Sequence, residues 1–221
     1  MDEAQVRHEL TADGSSTLFS EAFGVSYHSV HGAVQESEHV FIEAGLKEAI
    51  KNKSHLRLLE VGLGTGLNAL LTWKRLSELD VQIDYTALEA FPISLEDAKL
   101  LNYSAFSLPA KPDDLIVLPW EQPIALSERF TFTKVRANWP DYQCSQGFDL
   151  IYYDAFAPNA QPELWQNEAL SRSAQLLNQG GIWVSYCAKG DVRRTLQSLG
   201  LEVERLPGPP FKRHMLRARK A

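Results

Sequence analysis

The sequence predicts an α/β fold: one mostly parallel sheet wound with helices and finished by a C-terminal antiparallel hairpin. Three observations carry this. From Leu56 onward, short apolar runs alternate with helical segments of about ten residues, the pattern of a parallel sheet. A glycine-rich turn, Gly62-Leu63-Gly64-Thr65-Gly66, joins the first apolar run to a helix. The last two strand-like runs are joined by Pro207-Gly208-Pro209-Pro210 with no room for a helix. A parallel connection needs a crossover of about a dozen residues, so this pair should be antiparallel.

The elements follow in order. Residues 1–23 have no clear period and read as irregular or a short hairpin. Residues 36–51 carry a helical apolar stripe through Val40, Phe41, Ala44, Leu46, Ala49 and Ile50, closed by polar residues 51–54. Residues 58–61 form a buried strand ending at Gly62, and residues 67–79 a helix. Residues 81–89 are a second strand. Residues 94–103 are a helix with Ser94 as N-cap and Asp97 three residues on. Residues 104–128 are proline-rich and aperiodic. Strands are expected at 130–135 and 148–154, then a helix at 162–177 closed by Gly180-Gly181. A strand at 182–187, a helix at 191–199 stopped by Gly200, and strands at 201–206 and 214–219 complete the chain. Two parts result: an N-terminal extension, 1–55, and an α/β domain, 56–221.

Composition narrows the function. At 221 residues, 44% hydrophobic and 23% charged, the chain is an ordinary globular domain with a sizeable core. Two cysteines, Cys144 and Cys187, make neither a disulfide framework nor a cysteine zinc site, which fits a reduced, cytoplasmic setting. The acidic, polar start is unlike a secretory signal, and no apolar run reaches the roughly 20 residues of a membrane span. The net charge of −6 argues against bulk nucleic-acid affinity. It hides an asymmetry: residues 1–55 carry four Lys/Arg against nine Asp/Glu, and residues 189–221 carry nine against three. Lys189, Arg193, Arg194, Lys212, Arg213 and His214 are therefore candidate phosphate contacts, with plain solvation as the alternative for each. His28 and His31 lack a third ligand in register, and no metal is expected.

Three acids mark a candidate site. The run Glu60-Val61-Gly62-Leu63-Gly64-Thr65-Gly66 has G-x-G-x-G spacing, unlike the G-x-G-x-x-G dinucleotide loop, and no Lys-Ser/Thr of a P-loop follows it. Glu60, ahead of the loop, can meet a cationic amino group or simply brace the loop. Glu89 ends the next strand about 20 residues on, where an acid binds ribose hydroxyls; the alternative is a helix cap. Asp154 ends the 148–154 strand, with Phe156 and Pro158 behind it as an apolar wall; the alternative is an Asx turn. Strand ends near the switch in strand order are where open α/β sheets bind ligands, so the three acids should share one crevice suited to a cation.

The parallel sheet with a terminal hairpin is similar to the class I S-adenosylmethionine-dependent methyltransferases. The runs EVGLGTGLNALLTW, LEAFP and YYDAFAPNAQPELW, with Tyr27-His28-Ser29, Glu36, Gly180-Gly181 and the 192–216 segment, resemble the tRNA (5-methylaminomethyl-2-thiouridine) methyltransferases along nearly the whole chain. That resemblance implies S-adenosylmethionine as cofactor, bound by Glu60, Gly62, Gly64, Thr65, Gly66, Asn68 and Glu89. It implies that Asp154 faces both the cofactor and the target amine as the catalytic residue. It places Tyr27, Phe156, Ala157 and Pro158 on the substrate side. Asn138 stands where many superfamily members use an acid to meet adenine N6. The partner implied is a tRNA whose wobble uridine bears a 5-aminomethyl group, supplied by an upstream modifying enzyme. Bifunctional relatives carry a flavin oxidase domain downstream; a sequence ending at Ala221 is expected to lack that activity.

The target base must leave the anticodon stack to react, and Tyr153, Phe156, Trp139 and Trp165 are candidate stacking surfaces, each with a core role as the alternative. Two other functions compete. A small-molecule amine methyl- or aminopropyl-transferase would share the fold but differ in acid spacing after the fourth strand. An inactive cofactor-binding scaffold would not need Glu60, Glu89 and Asp154 together.

Overall fold

The computed structural model describes residues 4–51 and 53–221. The acidic start at residues 1–3 and Asn52, in the polar stretch expected to close the first helix, lie outside the described residues.

Two sheets form. A small antiparallel sheet, order β1-β2-β3, comprises β1 (Val6–Leu10), β2 (Ser16–Ser20) and β3 (Val25–Ser26). The main sheet has eight strands in the order β10-β11-β9-β8-β4-β5-β7-β6. They are β4 (His55–Val61), β5 (Gln82–Leu88), β6 (Ile124–Ser127), β7 (Phe130–Val135), β8 (Phe148–Tyr153), β9 (Leu177–Ser185), β10 (Leu201–Pro207) and β11 (His214–Lys220). Strands β7, β5, β4, β8 and β9 are parallel neighbours. β11 runs antiparallel to both β9 and β10, so the expected hairpin is present with its second strand inserted next to the parallel block. The strand order reverses between β4 and β8, and the loops after both strands open at that point.

Several elements differ from the sequence reading. Of the two readings of the N-terminal segment, irregular or a short hairpin, the structure has the hairpin, β1 with β2, and extends it by β3 into a meander. Thr11, Ser15 and Asp13 tie its first turn together, Thr11 Oγ1 donating to Asp13 Oδ1 at 2.7 Å and Ser15 N–H to the same oxygen at 2.9 Å. Such polar turn chemistry has no apolar period to read. The first helix starts earlier than expected and changes winding: α1 (Ala33–Ser37), a π-helical stretch Glu38–Leu46, then α2 (Lys47–Ala49). The wider winding lets Val40, Phe41, Ile42, Gly45 and Leu46 all face inward, a stripe broader than an α-helix of this length presents. Gly45 lies against the sheet, where an added methyl would sit 2.8 Å from Val184 Cγ1.

The aperiodic 104–128 stretch contains a 3₁₀ turn (Tyr103–Phe106), α5 (Pro112–Ile116) and edge strand β6, which pairs antiparallel with β7 through a bulge. Gly180-Gly181 does not close a helix. Helix α6 (Asn167–Leu176) ends first, and the glycines lie inside β9 at a register shift against β8. A 3₁₀ turn, Pro162–Trp165, precedes α6, and α3 (Leu67–Arg75) is a turn shorter than expected. Ser94 caps α4 (Leu95–Leu100) as expected, accepting from Asp97 N–H at 3.0 Å.

The core lies on both faces of the sheet. One face buries Leu56, Leu58, Ile83, Tyr85, Phe130, Phe132 and Tyr152 beneath α3 and the N-terminal helix. The other buries Leu59, Ile151, Tyr153 and Trp183 beneath α6 and α7 (Gly190–Ser198). Residues 33–49 and the sheet share one core, so the N-terminal region is fixed relative to the strand ends that it overhangs. No helix among the described residues is long and apolar enough to cross a membrane.

Candidate active site

The site is built at the switch point. Glu60 pairs in register with Tyr152 of β8 and Ala87 of β5, and Asp154 N–H donates to Val61 O at 3.0 Å. The ends of β4, β5 and β8 are thereby fixed side by side, as expected of Glu60, Glu89 and Asp154. After β4 the chain turns through Gly62 (φ 93°) and Gly64 (φ 52°), both in the left-handed region that favours glycine. A methyl group on Gly62 would lie 2.8 Å from the Asp154 carbonyl oxygen, and one on Gly64 would lie 2.9 Å from the Tyr27 ring.

A cavity of about 350 Å³ opens above this turn. Gly62, Gly64, Thr65 and Asn68 form one wall, Glu89 a second, Asn138 and Asp141 a third, and Asp154 and Phe156 the fourth. Glu89 Oε2 accepts from Gly64 N–H at 2.8 Å and its Oε1 from Phe91 N–H at 2.8 Å, so this carboxylate holds the loop as well as bordering the cavity. It caps no helix, since Ser94 fills that role. Burial pushes its pKa above the ordinary carboxylate range.

Glu60 departs from its expected place. It is fully buried and borders neither this cavity nor the next. It acts instead on Asn68, whose Nδ2 donates to Glu60 Oε1 at 2.9 Å and to Asp154 Oδ2 at 2.8 Å. Two carboxylates on one amide nitrogen fix the amide orientation, because the reverse would set oxygen against oxygen. Asn68 Oδ1 is thereby left as a buried acceptor with no partner among the described residues. Gly66 also lies off the cavity, packed on Leu115; its left-handed backbone starts α3.

Asp154 borders a second cavity too, of about 160 Å³. Its other walls are Tyr27, His28, Ser29, Glu36, Phe156, Ala157, Tyr186 and Lys212. Tyr27, His28, Asp154 and Phe156 therefore stand between two chambers. Burial pushes the Asp154 pKa up to about 7; the Asn68 hydrogen bond opposes this, nearby Glu36 adds to it and Lys212 opposes it. His28 is driven down to about 4 by burial, and its Nδ1 lies 3.0 Å from Thr17 Oγ1. It is a neutral wall at physiological pH, while His31 stacks on Phe211 with ring centroids 4.0 Å apart.

The remaining site expectations divide. Tyr27, Phe156 and Ala157 border the second cavity, whereas Pro158 sits in the 157–161 turn and borders neither. Phe156 packs against Phe23 and Tyr27 at 4.8 and 4.9 Å between centroids. Tyr153 and Trp165 are core residues that border neither cavity, whereas Trp139, also buried, borders the larger one. Each sends its polar atom to a backbone carbonyl, Tyr153 to Leu164, Trp139 to Ala169 and Trp165 to Phe156. Lys212 is not a free phosphate contact, because its Nζ is paired with buried Glu36 and sits 4.3 Å over the Tyr186 ring. Lys189, Arg193, Arg194 and Arg213 lie at the same sheet edge, Lys189 donating to Asn159 and Arg194 pairing with Asp191. Surface pairs of that kind are worth at most about 1 kcal/mol and leave these cations available.

Sequence reasoning missed Asp141, Phe23, Glu36 and Tyr186 as site residues. Asp141 was within reach: Asn138-Trp139-Pro140-Asp141 is a proline turn, and Asn138 Nδ2 reaches Asp141 Oδ2 at 3.4 Å on the cavity rim. The other three come from segments distant in the chain; Glu36 was noted only as part of the family resemblance, and Phe23 and Tyr186 carry no local motif.

The two chambers fit S-adenosylmethionine and an acceptor. The orphaned Asn68 oxygen offers a cationic amino group an acceptor, and Glu89 can receive hydroxyls. Gly62 and Gly64 keep the turn tight and close to the cavity. Comparison with known proteins agrees. Residues 122–221 match a family described as S-adenosyl-L-methionine-dependent methyltransferase. The whole chain is 28% identical to a protein of Hydrogenovibrio crunogenus named tRNA 5-methylaminomethyl-2-thiouridine biosynthesis bifunctional protein MnmC, covering 34% of it. The protein of that name from Aromatoleum aromaticum is 31% identical over 96% of the chain and 35% of its own length. The chain thus spans about a third of these curated relatives. Among solved structures, MNMC2 from Aquifex aeolicus superposes with a TM-score of 0.77 at 28% identity, covering 98% of this chain and 70% of that one. Spermidine synthase from Thermotoga maritima, at 13% identity and a TM-score of 0.57, covers 99% of this chain and 82% of that one and shares the fold.

Proposed function

We propose that this chain, a class I S-adenosylmethionine-dependent methyltransferase by fold and family, methylates the 5-aminomethyl amine of a wobble uridine in tRNA. One observation carries the reading: Asp154 stands in the wall between a cofactor-sized cavity and a smaller one. The names of the relatives along the full chain support the choice of acceptor.

S-adenosylmethionine supplies an electrophilic methyl group when bound. Asn68 Oδ1 holds the amino group of its methionine moiety, Glu89 its ribose, and Asn138 with Asp141 its adenine. On the other side the acceptor amine must be neutral to attack, yet free alkylamines titrate near the lysine value of about 10.4. An ordinary carboxylate would keep such an amine charged. Asp154, raised to about 7, is a better-matched proton acceptor and remains ionised just above neutrality. The low-dielectric walls of Tyr27, His28 and Phe156 also disfavour the ammonium form. Once the proton taken from the amine has passed from Asp154 to solvent, the ionised carboxylate accepts an N–H of the neutral amine, holds it in line and stabilises the cationic product.

The direct test is transfer of tritiated methyl to tRNA from cells that accumulate the aminomethyl uridine, with polyamines as control. Incorporation into polyamines and not tRNA overturns the reading. Glu89→Ala should weaken cofactor binding by about 1.5–3 kcal/mol, the value of charge-assisted hydrogen bonds. Unchanged affinity by calorimetry removes Glu89 from the ribose. Charge reversal at Lys189, Arg193, Arg194 and Arg213 should weaken tRNA binding and flatten its salt dependence without touching cofactor affinity. An unaltered salt slope removes this edge as the docking surface.

A further inference from the structure

The smaller cavity contains an ion pair that acts on the proposed methyl transfer only through its charge beside Asp154. Glu36 is buried near the start of the N-terminal helix, and Lys212 lies in the loop between β10 and β11, 176 positions away. Their contact joins the two ends of the chain at the cavity wall, beside Asp154. Each keeps spare hydrogen-bonding capacity. Glu36 Oε1 receives Lys212 and Oε2 receives Ser29 N–H at 2.9 Å, but each carboxylate oxygen has a second lone pair. Lys212 Nζ has three donors: one goes to Glu36, and the ammonium sits over the Tyr186 ring, so a donor remains. Tyr186 is itself fixed by its hydroxyl donating to Ala155 O at 2.8 Å. The result is an adjacent donor and acceptor, held rigidly at the wall that Asp154 shares.

We propose that Lys212 and Glu36 read the O4/N3 edge of a uracil ring, making the cavity selective for uridine over cytidine. This rests on the acceptor being a 5-aminomethylpyrimidine. With its amine on Asp154, the C5 substituent fixes the ring. Going round from C5, uracil presents an acceptor at O4 and then a donor at N3–H. Lys212 supplies the matching donor and Glu36 the matching acceptor. Cytosine presents the reverse order, a donor at N4 and an acceptor at N3. It cannot turn over to exchange them without removing its amine from Asp154. A mismatched ring leaves the buried Glu36 carboxylate against a lone pair and Lys212 against an N–H. Sites built to pair polar groups reject such analogues far more strongly than apolar pockets reject a change of size. Lys212 and Glu36 are positioning and specificity residues here; they accept no proton and form no bond.

The experiment uses anticodon stem-loop RNAs with 5-aminomethyluridine, 5-aminomethylcytidine or N3-methyl-5-aminomethyluridine at the wobble position, and single-turnover transfer of labelled methyl. Wild-type protein should favour the uridine over the cytidine, and over its N3-methyl form, by roughly 100-fold or more. Lys212→Met should lower transfer to the uridine by roughly 10- to 100-fold more than transfer to the cytidine, because the charge felt by Asp154 changes equally with both RNAs, and so collapse the ratio. Lys212→Arg should restore most of it, and cofactor affinity should stay constant in both variants. Equal wild-type rates on the uridine and its N3-methyl form overturn the proposal without any variant. So does a uridine-to-cytidine ratio preserved in folded Lys212→Met. Failure of wild-type protein on all three RNAs, with cofactor bound, overturns the acceptor assignment on which the proposal rests.

Discussion

Asp154→Ala is expected to lower the rate of methyl transfer by about 10²–10⁴-fold while cofactor affinity stays close to wild type. The side chain is at the wall between the cavities, and no other carboxylate in the 153–158 turn can replace it. The fold should tolerate the change, because Asn68 Nδ2 keeps Glu60 as its acceptor. Asp154→Asn separates charge from shape. It keeps an acceptor oxygen but cannot take a proton, so the residual rate measures orientation alone. The pH profile gives an independent sign. Below about 7 Asp154 is protonated and cannot accept from the amine, so transfer should rise through that value as pH increases. In Asp154→Asn this inflection should vanish. Stability should move the other way. An acid whose folded pKa is raised binds its proton more tightly when folded. Stability is therefore lost as pH rises from its ordinary 3.8 towards about 7. Asp154→Asn should accordingly be at least as stable as wild type above neutrality. Single-turnover kinetics with saturating RNA, together with urea melts at pH 6 and 8, check both signs. A near wild-type rate in Asp154→Ala would return this residue to a turn-capping role.

The α/β order was legible because strands buried on both faces read as apolar runs between helices, as at Leu58–Val61 or Phe148–Tyr153. The terminal hairpin was legible because four residues including three prolines cannot form a crossover helix. The N-terminal meander was legible only as one of two readings, a short hairpin or an irregular segment. Its strands are short, and its turns are held by Asp13, Ser15 and Thr11. The π-helical stretch was hidden for a different reason: its period is not 3.6 residues, and the α-helical stripe reads it only approximately. β6 was concealed by its place at the sheet edge, where only one neighbour and a bulge hold it.

The site shows the same division. Glu89 and Asp154 were legible because strand-end positions follow from the strands themselves. Glu60 was read at the right strand end but given the wrong exposure. Its chain position does not reveal that Asn68, the second residue of α3, covers it and presents the free oxygen instead. The second cavity was largely invisible to local reading, since its walls come from residues near 27, 36, 154, 186 and 212. The same mixing of distant segments explains Lys212. In sequence it is one of a basic cluster, and only the fold brings Glu36 to it.

Gly62→Ala is the substitution expected to cost most in both structure and activity, and Gly180→Ala is its control. Both glycines have positive φ, 93° and 72°. An alanine at either position should cost roughly 1–2 kcal/mol for the left-handed backbone alone. They differ in surroundings. A methyl on Gly180 meets nothing within 4 Å, whereas on Gly62 it lies 2.8 Å from the Asp154 carbonyl oxygen, a backbone atom. That contact cannot be relieved by rotating a side chain. Relief must come from parting the ends of β4 and β8, where Asp154 N–H bonds to Val61 O and Asn68 bridges Glu60 and Asp154. Gly62→Ala should therefore lose about 1–3 kcal/mol beyond Gly180→Ala, the range for an overpacked core site. It should also lose cofactor binding, because the displaced turn carries both the loop and the Asp154 wall of the larger cavity. Gly180→Ala should bind cofactor as wild type does. Urea midpoints for the two variants, read beside calorimetric titration with S-adenosylmethionine, measure the difference. Equal midpoints and equal affinities would mean that the β4 and β8 ends are not locked together, and with them would fall the geometry that places Asp154 between the two cavities.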